Sequence, residues 1–306
     1  MITHVAILGT GKMGSAFARR LDAAGTDLRL SLWNRTRERA EQVGVGTVAP
    51  TPAEAVRDAE LVITSLTNRE AVRAAYLGRD GALAAAGTRL FVEMSTAGPD
   101  LIAELAPDVE ATGSRLIDAP VLGAPTVAAR GGLAILAGGD AADVDRARPV
   151  LELLGEVRHV GALGSGARLK LAANSMLADL TLAAAELLAA GDAAGLDREH
   201  LFWVLARFVP SLELRRAGYM EDRHEPTLFA LRDLRKDLDL ALEFFHRSGA
   251  SVPVTALTRE LIEEAMVGGA DLDITAVARR YRRVAPPETR GPGDVGTSDP
   301  ALAGGS

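Results

Sequence analysis

The chain has no cysteine among its 306 residues. That excludes a disulfide framework, a thiol nucleophile and any thiolate metal site, and it fits a reducing compartment. Five histidines, His4, His159, His200, His224 and His246, are scattered without the spacing a metal site needs. No serine stands in a nucleophile-elbow pattern. Positive charge is not in excess. The formal net charge is −7, so electrostatics give no reason to expect nucleic acid or an anionic membrane as partner. The opening MITHVAILGTGKMG has neither a basic n-region nor a cleavable apolar segment, and no apolar run reads as long enough to span a bilayer. The expectation is a cytoplasmic protein with no metal, nucleic-acid or membrane partner.

What is present is ordinary for a globular chain, with 48% apolar and 25% charged residues, and the length suits two domains. Val5 to Leu8 is a continuous apolar run, Gly9, Gly11 and Gly14 follow as GxGxxG, and Ser15 to Ala24 has helical composition. Strand, glycine turn and helix in that order form the context in which the motif binds a dinucleotide: glycines let the backbone approach a pyrophosphate, and the helix N-terminus holds its charge. A second strand, Leu28 to Trp33, ends in Asn34, Arg35 and Thr36. An NAD site usually has an acid there for the ribose 2′-hydroxyl, whereas an arginine accommodates the 2′-phosphate of NADP. The acid is missing and Arg35 is present, so NADPH is expected over NADH. Further strands at Leu61 to Leu66, Leu90 to Met94, Arg115 to Asp118, Leu133 to Ala137 and Val157 to Val160 alternate with helices. The pattern predicts a doubly wound α/β parallel sheet whose ligand lies off the strand carboxyl ends, facing Ser65 to Asn68 and Ser95 to Thr96.

The second half reads as helical throughout, with one stretch that is chemically odd. Gly164 to Asn174, GSGARLKLAAN, opens a long apolar helix and puts Lys170 and Asn174 four residues apart, on one face. A helix apolar nearly all round is normally buried. A lysine there meets a desolvation penalty that lowers its pKa and readies it for proton transfer; the alternative is a lysine that snorkels to solvent. Breaks at Gly191 and Gly195 precede helices over His200 to Phe208, Leu228 to Arg247 and Thr255 to Met266. Three segments follow: a nucleotide-binding domain over 1–163, an all-helical domain over 164–284, and a tail over 285–306 whose Pro, Gly, Ser and acid content predicts disorder. The apolar surface of the helices predicts a homodimer.

Taken together these motifs resemble the β-hydroxyacid dehydrogenases, the group containing 3-hydroxyisobutyrate, tartronate semialdehyde and 6-phosphogluconate dehydrogenases and the glyoxylate and succinic semialdehyde reductases. The resemblance is carried in order by GTGKMG at Gly9 to Gly14, MSTAGP at Met94 to Pro99, DAPVLGAP at Asp118 to Pro125, GSGARLKLAAN, and KDLDLA at Lys236 to Ala241, preceded by Phe229. It implies an N-terminal Rossmann-like sheet with an all-α C-terminal domain closing over it, and a small-molecule carbonyl or hydroxy-acid substrate in the crevice. It implies that Lys170 is the catalytic acid/base and that Asn174 orients the substrate. Cofactor contacts are expected from Gly9, Thr10, Gly11, Lys12, Met13 and Gly14, from Asn34, Arg35 and Thr36, and from Leu66, Thr67, Thr96 and Lys236. Substrate contacts are expected from Ser95, Leu122, Gly123, Ala124, Phe229 and Asp237 together with Lys170 and Asn174. One departure stands out: the family's DAPVSGG is here DAPVLGA, so Leu122 takes the place of a serine hydroxyl, leaving the amides of Gly123 and Ala124 to hold an anion. The implied reaction is NADPH-dependent interconversion of a carbonyl and a hydroxy acid or alcohol. An imine reductase on the same fold and a non-catalytic dinucleotide-binding protein are the rivals.

Overall fold

Short runs of leucine, isoleucine and valine in the first half of the chain close into one sheet in a computed structural model, which describes residues 2–281. β1 (His4–Leu8), buried at every position, turns through the glycines into α1 (Lys12–Asp22). β2 (Arg29–Trp33), α2 (Arg37–Glu41), β3 (Thr47–Val48) and α3 (Pro52–Val56) follow. Next come β4 (Leu61–Thr64), α4 (Arg69–Leu77), β5 (Leu90–Glu93) and α5 (Pro99–Ala111). β6 (Arg115–Asp118), β7 (Val121–Leu122), α6 (Pro125–Ala128), β8 (Leu133–Gly138), α7 (Ala141–Leu151) and β9 (Gly155–Gly161) complete this half.

Strand order is β3-β2-β1-β4-β5-β6-β8-β7, with β9 paired to β8. Succession reverses between β1 and β4, the switch point where doubly wound sheets hold ligands. Alternate residues of β1 face opposite layers, so both faces are covered. Val5 and Ile7 pack with Phe17 and Leu21 of α1, while Ala6 and Leu8 pack with Tyr76 of α4 and Leu105 of α5. The sheet is parallel as expected from β3 to β6, and departs from that pattern at β8, which runs antiparallel to β6 and β7. Only the four-residue α6 lies between β7 and β8, and a parallel crossover needs a dozen residues or more. α7 is long enough to cross, and β9 is parallel to β8 again.

The rest is helical: α8 (Ser165–Ala193), α9 (Arg198–Phe208), α10 (Arg216–Glu221), α11 (Leu231–Arg247) and α12 (Pro253–Ala265). They share a core of Ala178, Leu182, Phe202, Leu234, Leu238 and Ile262. The architecture is therefore α/β, a Rossmann-like N-terminal sheet joined to an all-helical C-terminal domain. Three expectations about α8 are corrected. Gly191 does not break it, because that glycine is a packing site where a Cβ would lie 2.1 Å from the Leu201 side chain; the chain turns at Gly195, with φ of 76°. At 29 residues α8 is long and apolar enough to span a bilayer by length and composition, and half of its most apolar window is buried within this fold. Nor is it covered all round, since Leu169, Met176 and Leu187 are exposed. The tail expected to be disordered, 285–306, lies outside the described residues.

Candidate active site

The turn after β1 is shaped by close approaches at two of its three glycines. A Cβ on Gly9, whose φ is +98°, would lie 2.3 Å from the Ser65 carbonyl, and one on Gly14 would lie 1.9 Å from the Gly9 carbonyl. Gly11 faces open space. Behind it α1 starts with no side-chain cap and no acid in its first turn, so its amides and the positive end of its dipole remain available to an anion. The Thr10 hydroxyl is buried and has no partner among the described residues, while the Thr10 amide donates to Asn34 Oδ1 at 3.1 Å. Asn34 Nδ2 donates in turn to the Thr36 carbonyl at 2.8 Å, which fixes the end of β2 against the turn. Arg35 and Thr36 are exposed, and Arg35 forms no ion pair among the described residues, whereas Arg37 is held by Glu41 at 2.8 Å. An open glycine, an uncapped helix start and a free guanidinium at the end of β2 fit a dinucleotide phosphate. Met13 packs half-buried against the core. Lys12 reaches away from the turn, its Nζ donating to the Thr227 carbonyl at 2.5 Å in the helical domain.

The loops after β4 and β5 are braced against one another. The Leu66 amide donates to Ser95 Oγ at 2.8 Å, and the Ser95 amide donates to Glu93 Oε1 at 2.8 Å. Glu93, 1% exposed, also accepts the Thr64 hydroxyl at 2.5 Å, and burial pushes its carboxyl above the usual range. Ser95 thus spends its oxygen on the neighbouring loop, and Thr67 is exposed. Glu93 escaped the sequence reading; its one signal was a carboxylate closing the otherwise apolar strand LFVE.

Across the crevice the helical spacing does what it predicts. Lys170 is half-buried, and its Nζ turns inward to donate to the Val121 carbonyl at 2.8 Å rather than snorkelling outward. Burial pushes its ammonium pKa down; Asp237 opposes this and Lys236 adds to it. Asn174, 3% exposed, donates through Nδ2 to Asp237 Oδ2 at 2.5 Å. Asp237 receives Lys236 Nζ on Oδ1 at 2.6 Å, and the same ammonium donates to the Thr96 carbonyl at 2.7 Å, tying α11 to the loop after β5. Burial pushes the Asp237 carboxyl up even though both lysines pull it down. Lys170, Asn174, Lys236, Asp237 and Thr96 are therefore brought together. Val121 leads directly into Leu122, half-buried in β7, and then to Gly123 and Ala124, whose amides have no acceptor among the described residues. Phe229 is half-buried against the helical core and its amide donates to Asp273 Oδ2 at 3.1 Å. Asp118 also went unremarked as a side chain. It is fully buried, accepts the amides of Gly164 and Ala167, and is pushed by burial up to about 6.

Residues 4–164 match the family model described as the NAD binding domain of 6-phosphogluconate dehydrogenase. Residues 164–281 match the one described as NAD-binding of NADP-dependent 3-hydroxyisobutyrate dehydrogenase. Laid over a glycine turn at the sheet's switch point and a lysine helix whose ammonium is held by Val121, these matches define an NAD(P)-dependent oxidoreductase. The chain belongs to the 3-hydroxyisobutyrate dehydrogenase and 6-phosphogluconate dehydrogenase family. It is 33% identical over 299 residues to 3-hydroxyisobutyrate dehydrogenase of Pseudomonas aeruginosa, covering 92% of this chain and 99% of that protein. Among solved structures it is similar to the 3-hydroxyisobutyrate dehydrogenase of Mycobacterium tuberculosis with L-serine, with a TM-score of 0.80 and 30% identity over 92% of this chain and all of that one. It is also similar to Psf3 in complex with NADP+ and 2-OPP, with a TM-score of 0.80 and 25% identity over 91% of this chain and 100% of that one.

Proposed function

We propose that the chain is an NADPH-dependent reductase that interconverts a small carbonyl acid and the corresponding hydroxy acid, with Lys170 as general acid/base. The observation that carries this reading is the inward turn of Lys170 onto the Val121 carbonyl, next to unengaged amides at Gly123 and Ala124. The dinucleotide, when bound, supplies the hydride. An ammonium has three N–H donors and Lys170 spends one on Val121, so the head is aimed while a proton remains for the oxygen of a reacting carbonyl. Burial eases release of that proton near neutral pH, and such proton transfer is worth about 10² to 10⁴ in rate. Asn174 is fixed by Asp237 and keeps its remaining amide groups for orienting the substrate. The Gly123 and Ala124 amides form a nest for the acid group, and Leu122 adds apolar wall beside it.

Arg35, exposed and unpaired among the described residues, supports NADPH over NADH. An imine reductase and a non-catalytic binding protein are weaker readings, because neither needs a lysine held in this hydrogen bond. The division into a nucleotide-binding and a helical domain falls at residue 164 in this reading, and the enzyme acts in the cytoplasm. Exposed Leu169, Met176 and Leu187 of α8 with Trp203 and Phe208 of α9 support a homodimer formed through the helical domain. The test of function is NADPH oxidation by the purified protein across short aldehyde acids, neutral aldehydes and cyclic imines. Turnover confined to cyclic imines, or absent throughout, would overturn it.

A further inference from the structure

α8 begins without a cap of its own. Its N-cap residue, Gly164, is left-handed with φ of 87°, and no side chain of the helix accepts from the first turn. The acceptor comes from the sheet. Asp118, at the end of β6 and 0% exposed, takes the amides of Gly164 and Ala167 on its two oxygens, each at 2.6 Å. Two glycines pack against the carboxylate: a Cβ on Gly138 would lie 2.4 Å from Oδ1, and one on Gly166 would lie 2.9 Å from Oδ2. A serine or aspartate at position 164 could reach only the Ala167 amide and would be strained at this φ, so the Gly164 amide needs an acceptor from outside the helix.

The remote cap does something a local one cannot. The segment that begins at Asp118 also supplies the Val121 carbonyl that receives Lys170 Nζ, and then runs into Leu122, Gly123 and Ala124. The segment therefore grips α8 at two heights, at Ala167 and at Lys170, about 4.5 Å apart along the axis. Only Ala119 and Pro120 separate Asp118 from Val121, and α8 is continuous between Ala167 and Lys170, so little chain is left to absorb a shift of the first turn. We infer that Asp118 is a positioning residue of the reaction: by clamping the first turn of α8 to the end of β6, it sets the placement of the Lys170 ammonium relative to the Gly123 and Ala124 amides and so aligns the proton donor with the substrate. This rests on the reading of Lys170 as general acid/base.

The experiment compares full-length wild type, Asp118→Ala, Asp118→Asn and Lys170→Met, measuring kcat and KM with the best carbonyl substrate of the panel and NADPH affinity by fluorescence titration. Because a misplacement near 1 Å can cost about 10²-fold, Asp118→Ala is expected to lose at least about tenfold in kcat while NADPH affinity stays within about twofold. Asp118→Asn keeps the shape and one acceptor oxygen, and should recover part of that loss. If the alanine variant does not fold, the asparagine variant carries the test by itself, with a fall in kcat expected at unchanged NADPH affinity. Wild-type kcat in the folded variants, or kcat and NADPH affinity falling together, would overturn the inference by reducing Asp118 to a structural cap. Wild-type activity in Lys170→Met would instead overturn the reading on which it rests, so the two failures are told apart.

Discussion

Lys236→Met removes the ammonium that bridges the buried carboxylate of α11 and the loop after β5. Lys236 Nζ lies 2.6 Å from Asp237 Oδ1 and 2.7 Å from the Thr96 carbonyl. Asp237 is 2% exposed and would keep only the Asn174 amide and the nearby Lys170 charge. A hydrogen bond to a charged group is worth about 1.5 to 3 kcal/mol, and Lys236, 28% exposed at its side chain, belongs at the low end because solvent screens it. The Thr96 carbonyl can turn to water. A loss of about 1.5 to 2 kcal/mol follows, or roughly 3 to 8 °C in melting temperature for a chain of this size. The loss should depend on pH. Burial holds the folded Asp237 pKa above its ordinary value, and Lys236 is the largest influence pulling it back down. Without Lys236 the folded state binds the Asp237 proton still more tightly than the unfolded state does. Stability from this group is then gained as pH falls from the raised folded pKa toward the ordinary carboxylate range, and lost as pH rises. The deficit of the variant should be largest at alkaline pH and shrink on acidification, as read by urea denaturation of both proteins across pH. A deficit independent of pH, or none at alkaline pH, would refute the reasoning.

Arg35→Asp should shift preference from NADPH toward NADH by roughly tenfold to a hundredfold, the equivalent of one lost charge-assisted contact of about 1.5 to 3 kcal/mol; equal use of the two cofactors by the wild type would remove Arg35 from the phosphate site. Leu122→Ser should raise the ratio of kcat/KM for glyoxylate to that for succinic semialdehyde, since a hydroxyl returns where the half-buried leucine now favours a longer, more apolar body. An unchanged ratio would place Leu122 outside the substrate pocket.

What could be read from the sequence was what is local. GTGKMG after an apolar strand, and a lysine and an asparagine four apart on one helix, express their geometry through the helical and extended periods alone, and Lys170 and Asn174 do converge on one site. The unread parts depend on partners far along the chain. Glu93 and Asp118 look like ordinary acids until β4 and α8 bury them, and Lys12 meets Thr227 across 215 residues. Strand direction at β8 followed from the length of α6, which no hydrophobic period encodes. Gly191 read as a helix breaker because its role, making room for Leu201, exists only once α8 and α9 pack.

The central claim is that Lys170 moves the proton of an NADPH-dependent carbonyl reduction, and Lys170→Met tests it most directly because methionine keeps length and packing but carries no proton. Rates of NADPH oxidation at saturating carbonyl substrate and NADPH affinity should be measured on both proteins. A fall in kcat of about 10² to 10⁴ with NADPH affinity nearly unchanged is the expected result; a Lys170→Met enzyme that keeps most of its turnover would contradict it.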